Sequence, residues 1–167
     1  MHVAKKTTTK TAAKKTSTAK KTATSKTAAK KTTTAKTTTK TVTELSVNGN
    51  KKIATLQKEF NKRFPYLRLG LYYSYMRKEP VKTQLPGDKT LASVRRADSG
   101  GDISISGNKK IKSVEKEFDT VFGLYAQVCY TDVTGHRYYT SGSQDEKTLS
   151  AFNAECEKNG CKKGEYR

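Results

Sequence analysis

Residues 44–60 read ELSVNGNKKIATLQKEF, and residues 102–118 read DISISGNKKIKSVEKEF. At an offset of 58 the two stretches agree at nine of seventeen positions, including the run Gly49–Ile53 against Gly107–Ile111. The offset returns downstream, where Asp88-Lys89-Thr90-Leu91 meets Glu146-Lys147-Thr148-Leu149. Self-similarity at a fixed period marks a repeated structural unit. The body of the chain is therefore read as two tandem units, 44–101 and 102–159, followed by a short C-terminal extension.

Each unit carries the same pattern. A short alternating strand (Leu45, Val47; Ile103, Ile105) runs into an Asn/Gly turn. A helix follows, with apolar residues on one face: Ile53, Leu56, Phe60 and Phe64 in the first copy, Ile111, Val114, Phe118 and Phe122 in the second. Asn50 and Asn108 stand where caps are expected, and Pro65 and Gly123 are the stops. The second strand alternates as Leu67-Leu69-Leu71-Tyr73 and as Leu124-Ala126-Val128-Tyr130. These copies are out of step by one residue, so Tyr66 reads as an insertion. Turns near Lys78-Glu79-Pro80 and at Asp132–Gly135 lead to hairpin partners at about Val81–Leu85 and Arg137–Ser141. A closing helix is expected from Asp88 or Asp145, carrying Leu91 and Val94, or Leu149 and Phe152. The fold class is α+β: two tandem β-α-β-β-α units. A unit this small is marginal alone, and the link Asp98-Ser99-Gly100-Gly101 is short. The two are expected to pack together with pseudo-twofold symmetry.

Ahead of the body lies a different kind of sequence. The chain has 167 residues, with 34 Lys+Arg against 15 Asp+Glu, a formal charge of +19. Residues 1–42 hold 12 Lys, 16 Thr, 8 Ala, 2 Ser and no acid, so 12 of the 19 excess charges sit in the first quarter. Nothing here can be buried to offset the entropy of ordering the chain, and disorder is expected. Fully extended, the segment would reach on the order of 140 Å. The division is thus a tail (1–42), a first unit (43–101) and a second unit with its extension (102–167).

A long block of one charge is an interaction tail, and its natural partner is a polyanion. Lys doublets recur at Lys5-Lys6, Lys14-Lys15, Lys20-Lys21 and Lys30-Lys31. Irregular spacing, with no Arg to read guanine and no aromatic to stack, points to sequence-independent phosphate contact with duplex DNA. A spacer, an anionic membrane surface or polyphosphate are the other readings. A lipid-binding helix would need Leu, Phe or Trp along one face, which the tail lacks.

Runs such as Thr11-Ala12-Ala13-Lys14-Lys15-Thr16 and Thr27-Ala28-Ala29-Lys30-Lys31-Thr32 resemble the tails of linker histones and of bacterial histone-H1-like nucleoid proteins. The resemblance covers residues 4–41. It departs from the usual pattern in lacking Pro and in being richer in Thr. What it implies is DNA binding or compaction, with no residue-level code.

Other classes fall away. No apolar run approaches the ~18–20 residues of a membrane span. The N-terminus has Lys but no apolar core of a secretory signal. Cys129, Cys156 and Cys161 are too few and of the wrong parity for a disulfide scaffold, so a reducing, intracellular compartment is expected. Catalytic constellations are not evident: His136, near Asp132 and Cys129, falls in a hairpin turn and reads as a solvent-facing histidine. Cys156 and Cys161 lack zinc-ligand spacing and read as incidental thiols or a redox-sensitive pair. The repeated GNKK is neither a P-loop nor a dinucleotide fingerprint. Its glycines suit the strand-to-helix turn. Its lysines (Lys51-Lys52, Lys109-Lys110) leave two readings, solvated surface charge or an anion seat at the helix N-terminus. No cofactor, metal or enzymatic activity is expected.

Charge separates the copies. Residues 44–101 have 7 Lys, 5 Arg and 5 acids, a net of +7; residues 102–167 have 10 basic and 10 acidic residues, a net of zero. The first copy also places Arg68, Tyr72, Tyr73, Tyr75, Arg77 and Lys78 in one strand and turn, a basic-aromatic mix suited to nucleic acid. The expected nucleic-acid contacts are thus the tail lysines with Lys51, Lys52, Arg68, Arg77 and Lys78. The neutral second unit, with Tyr138-Tyr139, suits self-association or a protein partner. The expectation is a non-enzymatic, nucleoid- or chromatin-associated DNA-binding protein, cytoplasmic in a bacterium and nuclear in a eukaryote. The rival is a protein-interaction module whose tail is a spacer or surface anchor.

Overall fold

The computed structural model describes residues 44–79, 81–98 and 100–164. The tail, its predicted disorder and its lysines (Lys5, Lys6, Lys14, Lys15, Lys20, Lys21, Lys30, Lys31) lie outside the described residues. The alternating segments form β1 (Leu45–Val47), β2 (Leu67–Tyr73), β3 (Ile103–Ile105), β4 (Leu124–Thr131) and β5 (Arg137–Tyr139). The one-faced apolar segments form α1 (Ile53–Arg63), α2 (Leu91–Val94), α3 (Ile111–Phe122) and α4 (Leu149–Lys158). The architecture is α+β, with two antiparallel sheets among the described residues: a ribbon β1-β3 and a three-stranded sheet β2-β4-β5.

Both β1-β3 and β2-β4 join the first half of the body to the second. In the ribbon, Leu45 faces Ile105, Ser46 faces Ser104 and Val47 faces Ile103. The central residues, Ser46 and Ser104, are 58 apart, the period of the sequence repeat. In β2-β4 the pairing runs from Leu67↔Tyr130 to Tyr73↔Leu124, centred on Gly70↔Gln127, which are 57 apart. That is one residue less than the sequence period.

Helices α1 and α3 lie on one face of the larger sheet and also touch the ribbon. Their apolar stripes, Ile53, Leu56 and Phe60 with Ile111, Val114 and Phe118, are fully buried against Leu67, Leu69 and Leu71 and against Leu124, Ala126 and Val128 in one cluster. The rings pair within each helix, Phe60–Phe64 at 5.0 Å and Phe118–Phe122 at 5.9 Å between centroids. Each such side chain contributes about 1.5–3 kcal/mol by leaving water.

The helix starts differ from expectation in an informative way. Asn50 and Asn108 are not the caps. The N-cap positions are Lys52 and Lys110, neither of which makes a side-chain cap bond. Instead, backbone carbonyls take the first helical amides. Ile53 and Ala54 donate to Lys89 and Gly87 at 2.9 Å each, and Ile111 and Lys112 to Lys147 and Asp145 at 3.0 and 3.1 Å. In return Leu91 and Ala92 donate to Lys51 and Gly49, and Leu149 and Ser150 to Lys109 and Gly107. In each half, the two turns cap each other's helices, which removes the need for an Asn cap. The closing helices begin three or four residues later than the Asp88 and Asp145 starts. They are capped by Thr90 and Thr148, whose hydroxyls accept from Ser93 and Ala151.

The halves diverge at their edges. No strand forms at Val81–Leu85; only the Leu85 amide bonds back to the Leu71 carbonyl, at 2.8 Å. The chain leaves β2 as a 3-10 helix, Ser74–Lys78, so Tyr75, Arg77 and Lys78 lie on that helix rather than on a strand and turn. The connection lacks a glycine for a tight turn. In the second half Gly135 adopts φ 96°, Asp132 and His136 close the turn, and β5 forms, ending at Tyr139. Helix α2 stops after one turn because the amides of Arg96 and Ala97 are drawn to the Phe122 carbonyl, closing the end of α3. There Gly123 takes φ 64°, as a C-terminal stop requires.

Candidate nucleic-acid interface

The basic and aromatic residues named from the sequence gather where β2 runs into the 3-10 helix, but not as a bare patch. Arg77 reaches across to the second half. Its guanidinium pairs with Asp119 at 3.1 Å and lies over the Tyr125 ring at 5.2 Å. Lys78, beside it, is exposed. Arg68 stands in register with Cys129, and Tyr72 with Tyr125. Pleating therefore sets Arg68 and Tyr72 on the sheet face opposite α1 and α3. Tyr72 is buried, its hydroxyl 3.1 Å from that of Tyr139. Burial, and then that contact, raise its pKa. It cannot stack on a base.

Three contributors escaped the sequence reading. Arg96 lies over Tyr73 at 4.7 Å and Tyr75 at 5.9 Å, and those two rings stack at 5.6 Å. Tyr75 is 60% exposed and Arg96 is exposed, so this pair presents cation and ring to solvent. Lys82 approaches the Tyr125 ring at 6.0 Å. Arg96 follows α2, and Tyr125 lies on β4 in the second half of the body. Only the pairing of β2 with β4 and the return of the chain past Phe122 bring them here, and no local sequence pattern signals that.

The lysines at the helix starts have different environments. Lys51 Nζ is held at 2.6 Å by both Glu59 and the Ser46 carbonyl. Lys109 is held likewise by Glu117 at 2.6 Å, and Lys110 and Lys112 share Glu146. Lys52 is exposed, and no acid lies within ion-pair distance of it or of Lys78 among the described residues. The amides of Ile53, Ala54, Ile111 and Lys112 are already bonded to carbonyls. The first two amides of each helix are therefore taken and not offered to the anion seat considered for GNKK, and the two glycines serve the mutual capping.

Beside Arg77 a cavity of about 230 Å³ opens between α3 and β4, lined by Lys112, Glu115, Lys116, Asp119 and Tyr125 among others. Glu115 Oε1 accepts from the Val128 amide at 2.8 Å and from Gln127 Nε2 at 3.2 Å. Burial pushes its carboxyl up to about 7, Asp145 adding to the rise and the two hydrogen bonds and Arg77 opposing it. Its counterpart 58 residues earlier is Gln57, a buried amide donating to the Leu69 carbonyl at 3.0 Å.

His136 lies in the β4–β5 turn. Its amide bonds Asp132 Oδ1 at 2.9 Å and its Nδ1 lies 2.7 Å from the Thr134 hydroxyl. That hydroxyl, donating to Asp132, is the main cause of the lowered Asp132 pKa. Cys129 is buried on the sheet, its thiol pushed up to about 11. Tyr138 and Tyr139 are exposed on β5, the outer strand of its sheet. No helix among the described residues is long and apolar enough to cross a membrane. Compared with known proteins, the chain matches no family model, no curated relative and no solved structure.

Proposed function

We propose that the protein is a non-enzymatic, sequence-independent DNA-binding protein of the nucleoid, or of chromatin if its source is eukaryotic. The observation that carries this reading is the charge of residues 1–42: 12 Lys and no acid. Such a segment gains affinity by releasing condensed counterions from a duplex, without reading bases. The likeness to linker-histone and H1-like tails supports the same conclusion. The body is a tandem duplication about a pseudo-twofold axis. The recurrence of its capping bonds at an offset of 58, and strand pairings centred on residues 58 and 57 apart, support this. Its role is to position the tail, with a secondary nucleic-acid contact through Lys52, Lys78, Arg96 and Tyr75 on the basic first half.

The test is a salt titration of duplex binding by the full chain and by residues 43–167. Full engagement of the 12 tail lysines gives a log–log slope approaching about −11, at roughly −0.9 per contact; partial engagement gives a shallower one. The truncated chain should lose most of the affinity. Equal affinity of the two proteins would reject the tail as the main determinant. A second reading rests on Tyr138 and Tyr139, exposed on an outer strand: residues 102–167 as a self-association or protein-docking surface, with the tail a spacer. Partners that survive nuclease treatment of the native protein, with no nucleic acid recovered, would favour it.

A further inference from the structure

Helix α4 ends in a motif that brings two thiols together. The Cys161 amide donates to the Cys156 carbonyl at 2.9 Å and the Gly160 amide to the Glu157 carbonyl at 3.1 Å, with Gly160 at φ 70°. This is the Schellman pair of bonds, in which the third residue from the helix end contacts the second residue beyond its cap. In most proteins that contact is between apolar side chains. Here the two positions are Cys156 and Cys161, and Cys161 packs against the core cluster that holds Cys156.

We propose that Cys156 and Cys161 are a dithiol site that a small-molecule disulfide of the glutathione class oxidises to an intrachain disulfide, Cys161 being the attacking thiol. The division of roles follows from exposure. Cys161 is partly exposed and Cys156 is buried. Burial, and then the neighbouring Cys161, push the Cys156 thiol up to about 12, so it attacks poorly from solution. Lys162 and Lys163 follow Cys161 directly and favour an anionic reagent. In the first step Cys161, as thiolate, attacks one sulfur of the reagent. The reagent's S–S bond breaks, one thiol leaves, and a mixed disulfide remains on Cys161. In the second step Cys156 loses its proton, which ends on the departing reagent sulfur, and attacks Cys161 Sγ. The mixed disulfide breaks, the second reagent thiol leaves, and the Cys156–Cys161 bond forms. Two electrons pass from the dithiol to the reagent disulfide. The helix-end turn that bonds the Cys161 amide to the Cys156 carbonyl makes the second step intramolecular. Cys129 is not part of the site, because it is buried in β4 on the sheet.

The experiment uses the full chain incubated with glutathione disulfide, followed by alkylation of residual thiols, intact-mass measurement and a tryptic map. Lys158 lies between the two cysteines, so trypsin separates their peptides unless a disulfide joins them. The expected result is loss of two hydrogens from the chain, one linked peptide pair carrying Cys156 and Cys161, and Cys129 alkylated, all reversed by a reducing thiol. Cys129→Ser should behave like the parent, and Cys161→Ser should show no linkage. A mixed disulfide that persists on Cys161 without the linked pair would overturn the proposal. So would all three thiols being alkylated after exposure, or linkage through Cys129.

Discussion

Replacing Glu115 with Gln should make the protein more stable at neutral and alkaline pH and remove a defined part of its pH dependence. The carboxyl is raised from 4.5 to about 7, so the folded state holds a proton that the unfolded chain has already released. A raised carboxyl contributes stability that is fully present below about 4.5 and is lost as pH rises through about 7. The loss amounts to about 3 kcal/mol. The groups facing Glu115 are Arg77 from the 3-10 helix, Asp145 from the turn before α4, Tyr125 and Gln127 from β4, and Lys112 and Asp119 on its own helix. Arg77 is already paired with Asp119, and Asp145 Oδ1 is buried with no hydrogen-bond partner among the described residues. Gln57, 58 residues earlier, is a buried neutral amide donating to the Leu69 carbonyl. The assay is urea unfolding of wild type and Glu115→Gln at pH 4.5, 6 and 8. The difference between the proteins should grow by about 3 kcal/mol in favour of the variant from the lowest to the highest pH. The lowered carboxyls of Asp132 and Glu146 act below this window and cancel in the difference. A difference that does not change with pH would refute the reasoning.

Phe60→Ala and Phe118→Ala should each cost about 3–5 kcal/mol in denaturant unfolding, since both rings are fully buried in the shared core; a large loss at only one would show that the two helices are not equivalent. Gly123→Ala should destabilise by at least the 1–2 kcal/mol of a left-handed alanine, about which the structure is explicit: a Cβ there would stand 2.6 Å from the Ala97 nitrogen. A thermal scan checks it, and an unchanged midpoint would contradict the geometry. In the chain lacking residues 1–42, neutralising Lys52, Lys78 and Arg96 should remove residual DNA binding at low salt. Lys109→Ala with Lys110→Ala should matter less, because Glu117 and Glu146 already hold those lysines. Equal losses would argue against divergence of the two halves.

The elements that bury apolar faces were legible in the sequence. The helices around Phe60 and Phe118 and the strands Leu67–Tyr73 and Leu124–Thr131 follow from periodicity alone. What was not legible depends on contacts distant along the chain. The cap positions could not be assigned locally, because the first amides of α1 bond to carbonyls more than thirty residues away, at Lys89 and Gly87. The same holds for the shortness of α2, set by the Phe122 carbonyl, and for the Arg77–Asp119 pair. Glycine at 135 and its absence from the first-half link were visible, and they account for why one hairpin closes and the other does not.

The strand pairings carry a consequence for how the body must be made. Among the described strands, each pairing other than β4–β5 joins the first half to the second. Synthesised alone, the first half would leave β1 and β2 as unsatisfied edges, open to any strand that offered itself. Meeting its complement as a separate molecule would be bimolecular, and so dilution-sensitive and exposed to mispairing. The link at 98–101 replaces that encounter with a tethered one, whose effective concentration is in the millimolar range for a short connection. Cutting it should turn a concentration-independent folding reaction into an assembly reaction, with a midpoint that shifts with protein concentration.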